Sequence, residues 1–363
     1  MTKMNSHSSG NKMHTLIIDE NDIKQCMNKL GLSKYRERIN LRKLKQRNLI
    51  PLHYNHEKLP YILKILGFTF GDASLNFIGK RRDGILGISS KNPKDLEKIR
   101  EDIIKIGYTP GKIYKRREGR YITYKVYVNA TSLLVLLHAL GAPIGDKTLQ
   151  KYRVPQWIFK CTPEQKRLFL AAFFGAELSK PEPRKEKPTL FASPQLEMAK
   201  ELSIENSAKE FLEDIAQLLR EFEIESVIYR RRRIYTRKKD GRKTIRYILS
   251  VKSTPENLIN LWEKIGYEYN EERQKLAKYA VAYLRYKISL LERRRKLAEE
   301  VKKLAILGLQ PAQIKKMLRV GKNDERFVEE ICYKVSRNIP ISEIRTPRNI
   351  MNFTEFMKQH NKK

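Results

Sequence analysis

The sequence predicts an α+β protein in which one order of helices and strands occurs twice and a helical region follows. Two observations predict the repeat: two similar apolar stretches that each end in an acid, and similar hairpin and helix patterns after each of them. The third observation is the loss of strand patterns from Tyr269 onward. We therefore divide the chain into a basic helical arm (1–58), a first repeat (59–158), a second repeat (159–268) and a helical extension (269–363).

The two apolar stretches run from Leu63 to Ser74 and from Arg167 to Lys180, and each is long enough for about three helical turns. Both contain small residues four positions apart, namely Gly67 and Gly71 in the first and Ala171 and Gly175 in the second. Small residues at this spacing let two helix backbones approach closely. We therefore predict that the two helices pack side by side.

Each stretch ends in an acid, Asp72 in the first and Glu177 in the second. The helix macrodipole disfavours a negative charge at a C-terminus, so an acid at this position predicts a bound cation. If the helices lie side by side, the two acids meet and form a paired-carboxylate metal site. The alternative is ordinary core packing with solvated carboxylates, and the repetition of the pattern argues against it.

The segments Ile65–Ala73 and Leu170–Leu178 resemble the nine-residue signature of the LAGLIDADG, or dodecapeptide, homing endonucleases. The resemblance is to the form in which one chain contains both motifs, and it extends from about Leu59 to Arg285. The two acids are 177 − 72 = 105 residues apart, which suits one repeat of that fold. The resemblance implies two pseudo-symmetric αββαββα repeats that form a saddle, plus the C-terminal helical domain.

Two positions depart from the family pattern, in which a glycine follows each acid. Ala73 replaces the first glycine and Leu178 the second. Alanine is a mild change, whereas leucine strains any backbone that needs a positive φ. We therefore expect the second half of the site to be the more altered one.

The resemblance also implies a chemistry, the Mg²⁺-dependent hydrolysis of phosphodiester bonds in double-stranded DNA. Asp72 and Glu177 would bind Mg²⁺, with neighbouring backbone carbonyls and the scissile phosphates as further ligands. Lys91 stands at the position of a catalytic lysine of the family, and Lys180 lies three residues after the second acid, where some members have another. Both lysines can equally be ordinary phosphate contacts.

The composition indicates a polyanionic partner. Lysine and arginine number 75 against 41 acids, which leaves a formal charge of +34. We expect long double-stranded DNA, because phosphate contacts release counterions and two-stranded ribbons fit the major groove. The internal repeat further predicts a roughly pseudo-palindromic site. The candidate DNA-binding residues on the predicted hairpins are Arg116, Arg120, Tyr124, Arg230, Arg232 and Lys239.

Several local patterns give further expectations. Helices are predicted at Asp22–Leu30 and Lys34–Arg47, and the Pro- and Lys-rich segment Lys180–Pro194 is predicted to be a mobile loop over the groove. The short helices between residues 298 and 335 resemble a helix-turn-helix with a third helix. The tail from Asn338 is predicted to be a loosely packed appendage.

The sequence also argues against other locations and assemblies. No apolar run approaches the roughly 20 residues of a membrane-spanning helix, and the N-terminus lacks the apolar core of a signal peptide. Three widely spaced cysteines without a CxxC motif indicate a reducing compartment. We therefore expect a cytoplasmic protein without membrane contact, and a monomer because one chain holds both motifs.

Two other functions fit the same pattern. The first is a non-cleaving transcriptional regulator on a degenerate scaffold, since a family of sporulation regulators joins such a fold to a helix-turn-helix. The second is an RNA maturase, which differs only in its partner. Many relatives lie within inteins, but the chain begins with Met1, and Lys362 follows His360-Asn361 where an intein junction has Cys, Ser or Thr. We therefore expect a free-standing protein that does not splice.

Overall fold

The structure is a computed structural model that describes residues 16–119, 121–341, 344–347 and 349–360. Its contacts divide the chain into two compact units. Unit 1 comprises the chain up to Lys180 together with Ser193–Lys252 and Lys264–Gln274. Unit 2 comprises Pro181–Ala192, Ser253–Glu263 and the chain from Lys275 onward. Both strands and helices are abundant, so the predicted α+β class is confirmed.

Unit 1 begins with a small layer of two strands and two helices. These elements are β1 (Leu16–Ile18), α1 (Glu20–Lys29), α2 (Lys34–Gln46) and β2 (Leu52–His53). The two helices predicted for the N-terminal arm are therefore present. Arg36 of α2 donates hydrogen bonds to Asp83 Oδ1 at 3.1 Å and to Thr131 Oγ1 at 3.0 Å. This basic residue thus holds the arm to the first repeat.

The first repeat follows the predicted order of helix, hairpin, helix, hairpin and helix. Its elements are α3 (Leu59–Phe70), β3 (Ala73–Ile78), β4 (Asp83–Ser90), α4 (Pro93–Lys105), β5 (Tyr114–Glu118), β6 (Tyr121–Asn129) and α5 (Thr131–Ala139). The strands form one antiparallel sheet in the order β3-β4-β6-β5. Asn92 caps α4, because its Oδ1 accepts a hydrogen bond from the Lys94 amide at 3.1 Å.

The second repeat has one strand fewer after its first helix. Its elements in unit 1 are α6 (Pro163–Glu177), β7 (Gln195–Glu201), α7 (Asn206–Arg220), β8 (Ser226–Arg230), β9 (Tyr235–Thr236) and β10 (Lys243–Val251). The sheet order is β7-β10-β8, with β9 paired to β10. The chain that follows α6 enters unit 2 before it returns as β7. The predicted hairpin after the second acid is therefore reduced to a single strand.

The segment between the repeats contains two short 3₁₀ turns, Lys147–Leu149 and Gln156–Lys160. Arg153 anchors this segment to the second repeat with hydrogen bonds of 2.6 and 3.0 Å to the Asp214 carboxylate. This bridge between the repeats is thus part of unit 1.

Helices α3 and α6 lie in direct contact, and glycines make that contact possible. A Cβ atom on Gly67 would lie 2.2 Å from the Phe169 carbonyl oxygen, and one on Gly71 would lie 2.5 Å from the Ala176 Cβ. A Cβ atom on Gly175 would instead lie 1.8 Å from the Glu268 carbonyl oxygen. The predicted close packing is therefore present, although Gly175 faces the last residue of the second repeat rather than α3.

Unit 2 is helical and has its own hydrophobic core. Its elements are α8 (Pro255–Ile259), α9 (Glu271–Ile306, whose first turn belongs to unit 1), α10 (Pro311–Met317), α11 (Glu325–Ser336) and α12 (Phe353–His360). The cluster that holds α9, α10 and α11 together consists of Ala298, Val301, Ile314, Val328, Ile331 and Cys332. The predicted short helices are therefore present and packed. Whether they read DNA as a helix-turn-helix stays a prediction.

Unit 2 anchors two segments that the sequence predicts to be loose. The segment Pro181–Ala192 is not free along its whole length, because Phe191 is 3% exposed and its ring centroid lies 5.0 Å from that of Trp262 and 4.9 Å from that of Phe353. The tail is not uniformly loose either, since α12 buries Phe353 and Phe356. Aromatic residues spaced widely along the chain form this cluster, and no local pattern marks them.

Among the residues that the structure describes, no helix combines the length and apolarity that crossing a bilayer requires.

Candidate active site

The candidate site lies where α3 and α6 end. Asp72 follows the Gly71 cap of α3, and Glu177 is the last residue of α6. A Cβ atom on Gly71 would lie 3.1 Å from the Glu177 Cγ and 3.5 Å from its Oε1. The structure therefore brings the two predicted acids to the same end of the helix pair.

Both carboxylates are electrostatically unfavourable in the protein alone. Burial raises the pKa of Glu177 to about 7, and repulsion from the Asp72 charge contributes to that rise. Part of the Asp72 side chain is exposed, yet the surrounding protein desolvates its carboxylate and raises its pKa as well. A divalent cation between the two groups would remove this penalty, because it favours the charged form of both.

Lys147 is a member of the site that the sequence reasoning missed. Its Nζ donates hydrogen bonds to the carbonyl oxygens of Gly71 and, at 2.7 Å, Ala73, the residues on either side of Asp72. Burial lowers the pKa of this ammonium to about 8, while the charges of Glu177 and Asp72 act in the opposite direction. The residue lies in the bridge between the repeats, where no helix or strand pattern indicated a function.

Arg273 is a second cation that the sequence did not indicate. Its Nη1 donates hydrogen bonds to the carbonyl oxygens of Phe174, Gly175 and Ala176 at 3.0, 2.8 and 3.1 Å. A cation at this position offsets the negative end of the α6 macrodipole. Arg273 therefore lowers the electrostatic cost of placing the Glu177 carboxylate at the C-terminus of α6.

These cations contact part of the predicted metal shell. The sequence predicts neighbouring backbone carbonyls as metal ligands, and those of Gly71, Ala73 and Ala176 already accept a hydrogen bond from Lys147 or Arg273. Because a carbonyl oxygen has two lone pairs, this ligand set stays a prediction. In the described part of the chain, no cluster of three or more His, Cys, Asp or Glu side chains could hold a metal ion. The two carboxylates fit Mg²⁺, which keeps several waters and takes phosphate oxygens.

The two lysines predicted to assist catalysis lie in different surroundings. Lys91 directly follows β4, and its positive charge acts to lower the pKa of Asp72. Lys180 instead forms an ion pair with Glu272, with an Nζ to Oε1 distance of 3.3 Å. It is not among the charges that shift either acid. The structure therefore brings Lys91 into the electrostatic field of Asp72, whereas Lys180 pairs with Glu272.

The first sheet separates the predicted DNA-binding residues by face. Arg116 pairs with Thr123, which is on the same side of β6 as the exposed Tyr127. Tyr124 is half-buried and on the opposite side, together with the buried Val126. Arg120 lies outside the described residues.

The second sheet places the remaining candidates at its margins. Arg230 lies opposite Tyr247, on the side of the sheet where Tyr247 and Met198 are buried. Its Nε donates a hydrogen bond to Glu205 Oε2 at 2.8 Å. Arg232 follows β8 in an exposed bend, and Lys239 lies in the β9–β10 turn, where its Nζ is 3.9 Å from Asp146.

The outward face of this second sheet carries residues that the sequence reasoning did not select. Tyr229 is exposed there, and the Arg231 guanidinium lies 5.9 Å from its ring centroid. Arg246 lies 4.4 Å from the Tyr235 ring centroid. Because strand side chains alternate, a one-residue error in register exchanges one face for the other.

The prediction that Leu178 strains the backbone is wrong. Its φ is −76° and its ψ is 137°, which is ordinary extended backbone, and its side chain is completely buried. Helix α6 ends at Glu177 and continues directly into extended chain, where the Ser179 amide donates to the Gln195 carbonyl at 3.0 Å. No residue with a positive φ is needed here, so the departure from glycine leaves Glu177 in place.

Comparison with known proteins gives related segments inside longer proteins. The chain is 33% identical over 329 residues to the tRNA-splicing ligase RtcB of Pyrococcus furiosus, covering 87% of this chain and 32% of that protein. It is 35% identical to the DNA-directed RNA polymerase subunit Rpo1N of Methanocaldococcus jannaschii, and that match covers 77% of this chain and 21% of the subunit. It is 29% identical to the replication factor C small subunit of the same organism, covering 88% of this chain and 16% of that protein. The chain thus spans about a third or less of these relatives.

Solved structures give weaker likenesses. A variant of the homing endonuclease I-DmoI shows a TM-score of 0.39 at 14% identity, covering 61% of this chain and all of that one. Full-length DUF199/WhiA from Thermatoga maritima shows a TM-score of 0.34 at 12% identity, covering 88% and 98%. Among protein families, residues 164–266, most of the second repeat, match the profile described as a LAGLIDADG-like domain. The chain therefore contains a LAGLIDADG-like domain.

Proposed function

We propose that this protein is a site-specific endonuclease of the homing type that hydrolyses both strands of double-stranded DNA with Mg²⁺. The observation that carries the proposal is the meeting of Asp72 and Glu177 at the ends of two close-packed helices. Two desolvated carboxylates are a poor structural choice, as their raised pKa values show. They are well suited to hold a hard divalent cation.

Each part of the site has a role in this chemistry. Hydrolysis requires in-line attack of water on phosphorus and stabilisation of the charge that develops on the phosphate and the leaving oxygen. Bound Mg²⁺ would supply the Lewis acid. Asp72 and Glu177 would hold it, and the ammonium groups of Lys147 and Lys91 would stabilise the phosphate charge through their fields. Arg273 keeps the α6 terminus in place beneath the acid.

The partner follows from charge and from the two sheets. A formal charge of +34 favours a polyanion. Arginine and tyrosine side chains lie on the outward faces of both sheets, and such side chains contact bases and phosphates in the major groove. Because one chain supplies both acids, a monomer would act on a long, roughly pseudo-palindromic duplex.

The distribution of the relatives supports the homing type. Three proteins with unrelated names, an RNA ligase, an RNA polymerase subunit and a replication factor, each contain a segment similar to this chain. Each segment is a minor part of its protein, so none of these three named activities explains what the segments share. An endonuclease that promotes the insertion of its own coding sequence explains a segment found within unrelated proteins.

The second candidate is a DNA-binding regulator that does not cut. The packed core of α9, α10 and α11 in unit 2 favours it, because short helices of this kind serve to bind DNA in many proteins. The acid pair distinguishes the two candidates, since a protein that only binds DNA has no use for two desolvated carboxylates.

The test is cleavage of a randomised duplex library in Mg²⁺ by the wild-type protein and by Asp72→Asn. A matched control is Glu97→Gln, which changes an exposed acid paired with Arg100. We expect site-specific double-strand cuts by the wild type and the control, and binding without cuts by Asp72→Asn. Selected duplexes that are bound but left intact by all three proteins would reject cleavage and support the regulator.

A further inference from the structure

Lys200 on β7 is a buried charged residue that the site described above does not use. It is 0% exposed. Its Nζ donates hydrogen bonds to the carbonyl oxygens of Lys147 at 2.7 Å and Gln150 at 2.5 Å, and it lies 3.5 Å from the Tyr152 ring centroid. The direct partners of this ammonium are thus two backbone dipoles and an aromatic face.

A buried ammonium with such partners is costly. Removing an ammonium group from water is unfavourable unless hydrogen bonds and a counter-charge replace its hydration. Burial lowers the pKa of Lys200 to about 7, and the positive charge of Lys147 adds to that effect, while the negative charge of Asp146 acts in the opposite direction. An apolar side chain would fill the same space without the cost of desolvating an ammonium group. What the lysine adds is its two hydrogen bonds to the carbonyls of Lys147 and Gln150.

Those hydrogen bonds hold the turn that carries Lys147. The carbonyls of Lys147 and Gln150 lie at the start and just after the end of the 3₁₀ turn Lys147–Leu149. The preceding residue is held as well, because Asp146 caps the Thr148 amide at 3.1 Å and pairs with Arg237 at 2.5 Å. Lys200 and Arg237 of the second repeat therefore hold this turn at both ends, and the turn carries Lys147, whose side chain bonds to the carbonyls on either side of Asp72.

We infer that Lys200 is a positioning residue, which sets the place of the Lys147 ammonium beside Asp72 and Glu177 by holding the backbone of the turn. The inference rests on the proposed cleavage function. It also explains how the second repeat contributes to the environment of the first acid. Lys200 itself touches neither acid and needs no contact with DNA.

The test uses the full chain with Lys200→Met, which keeps the volume and loses both hydrogen bonds, and Lys200→Arg, which keeps a donor. Each is combined with Lys147→Met. Two properties are measured: amide hydrogen exchange of residues 145–150, and the single-turnover rate of cleavage at saturating DNA with Mg²⁺. Target affinity in Ca²⁺ and thermal unfolding are recorded to separate loss of the fold from loss of position.

We expect Lys200→Met to exchange faster in residues 145–150 and to cleave 10- to 100-fold more slowly, with target affinity changed less than about twofold. In the Lys147→Met background the same change should cost less than about threefold, because its effect passes through Lys147. Lys200→Arg should lie between the wild type and Lys200→Met in both the amide exchange of residues 145–150 and the cleavage rate.

Unchanged exchange in Lys200→Met would overturn the inference, whether or not the protein cleaves. Equal losses of rate with and without Lys147 would also overturn it, since a purely structural role predicts additivity. A wild-type protein that never cleaves would reject the proposed function. The role of Lys200 in catalysis would fall with it, and the exchange result would report only whether Lys200 holds the turn.

Discussion

Each of the two helix ends that form the site places an acid at a helix C-terminus, and a different cation bonds to the backbone carbonyls at each end. After α3, Lys147 from the bridge between the repeats bonds to the carbonyls on either side of Asp72. At the end of α6, Arg273 bonds to three terminal carbonyls before Glu177. A hairpin follows the first acid, whereas a single strand follows the second after an excursion of the chain into unit 2.

The two repeats therefore share an order of helices and strands, but the side chains that surround their acids differ. Asp72 retains solvent exposure, but Glu177 is more covered, and its pKa is raised to about 7. We therefore expect the two halves to respond differently to pH and to substitution. The flanking lysines differ in the same way, because Lys147 reaches the site and Lys180 forms an exposed ion pair.

The largest expected contrast is between Lys147 and Lys180. Lys147→Met should slow single-turnover cleavage about 100-fold, because it removes a preorganised charge in a desolvated site. Lys180→Met should change the rate less than about threefold, since an exposed ion pair contributes about 0–1 kcal/mol. Single-turnover kinetics with a target duplex measures both. Equal effects of the two substitutions would contradict the assignment.

The next effect concerns the helix contact that both halves share. Gly67→Ala should destabilise unit 1 by about 1–3 kcal/mol, because the new Cβ would meet the Phe169 carbonyl and force the helices apart. Gly321→Ala is the matched control, since a Cβ there meets nothing within 4 Å. Chemical denaturation measures the difference. A Gly67→Ala protein as stable as the control would show that α3 and α6 are not in close contact.

The next prediction concerns the cost of ionising the Glu177 carboxyl alone. Its folded pKa is raised from 4.5 to about 7 by burial. The stability associated with this group is therefore complete below pH 4.5 and is lost as the pH rises through 7. Glu177→Gln should be more stable than the wild type by about 1–3 kcal/mol at pH 8 with a chelator, and the gain should vanish near pH 4. A gain that does not depend on pH would contradict this account.

The smallest predicted effect concerns metal affinity. Because the proton and Mg²⁺ compete for Glu177, the Mg²⁺ affinity of the DNA-free protein should fall about tenfold for each pH unit below 7. Titration calorimetry at pH 5.5, 6.5 and 7.5 measures this slope. In Glu177→Gln the residual affinity should vary much less over the same range. A flat profile for the wild type would exclude Glu177 as a ligand.

Much of the fold was predictable, because local patterns decide it. Gly67 and Gly71 predict a close helix contact, and the structure has that contact. The two acids were predictable as a pair, because the same arrangement occurs twice in one chain. What the pattern predicted about Leu178 was wrong, since the need for glycine depends on how the chain leaves α6.

The remainder of the site depends on contacts between residues far apart in sequence. Lys147 is 75 residues from Asp72, and Arg273 is 96 residues from Glu177 (147 − 72 and 273 − 177). Neither belongs to a motif. Lys200 is one of many lysines, and only its burial distinguishes it. The faces of the sheets were equally undetermined, because a shift of one residue exchanges Arg230 for Arg231.

The most direct measurement of the central claim is the position of Mn²⁺ in a crystal of the protein with its target duplex, located by anomalous scattering. We expect a peak between α3 and α6, with carboxylate oxygens of both Asp72 and Glu177 at about 2.0–2.3 Å, close to the distances of Mg²⁺. The peak should be lost in Asp72→Asn. Mn²⁺ bound to only one of these acids, or to neither, would contradict the claim that the two repeats form one metal site.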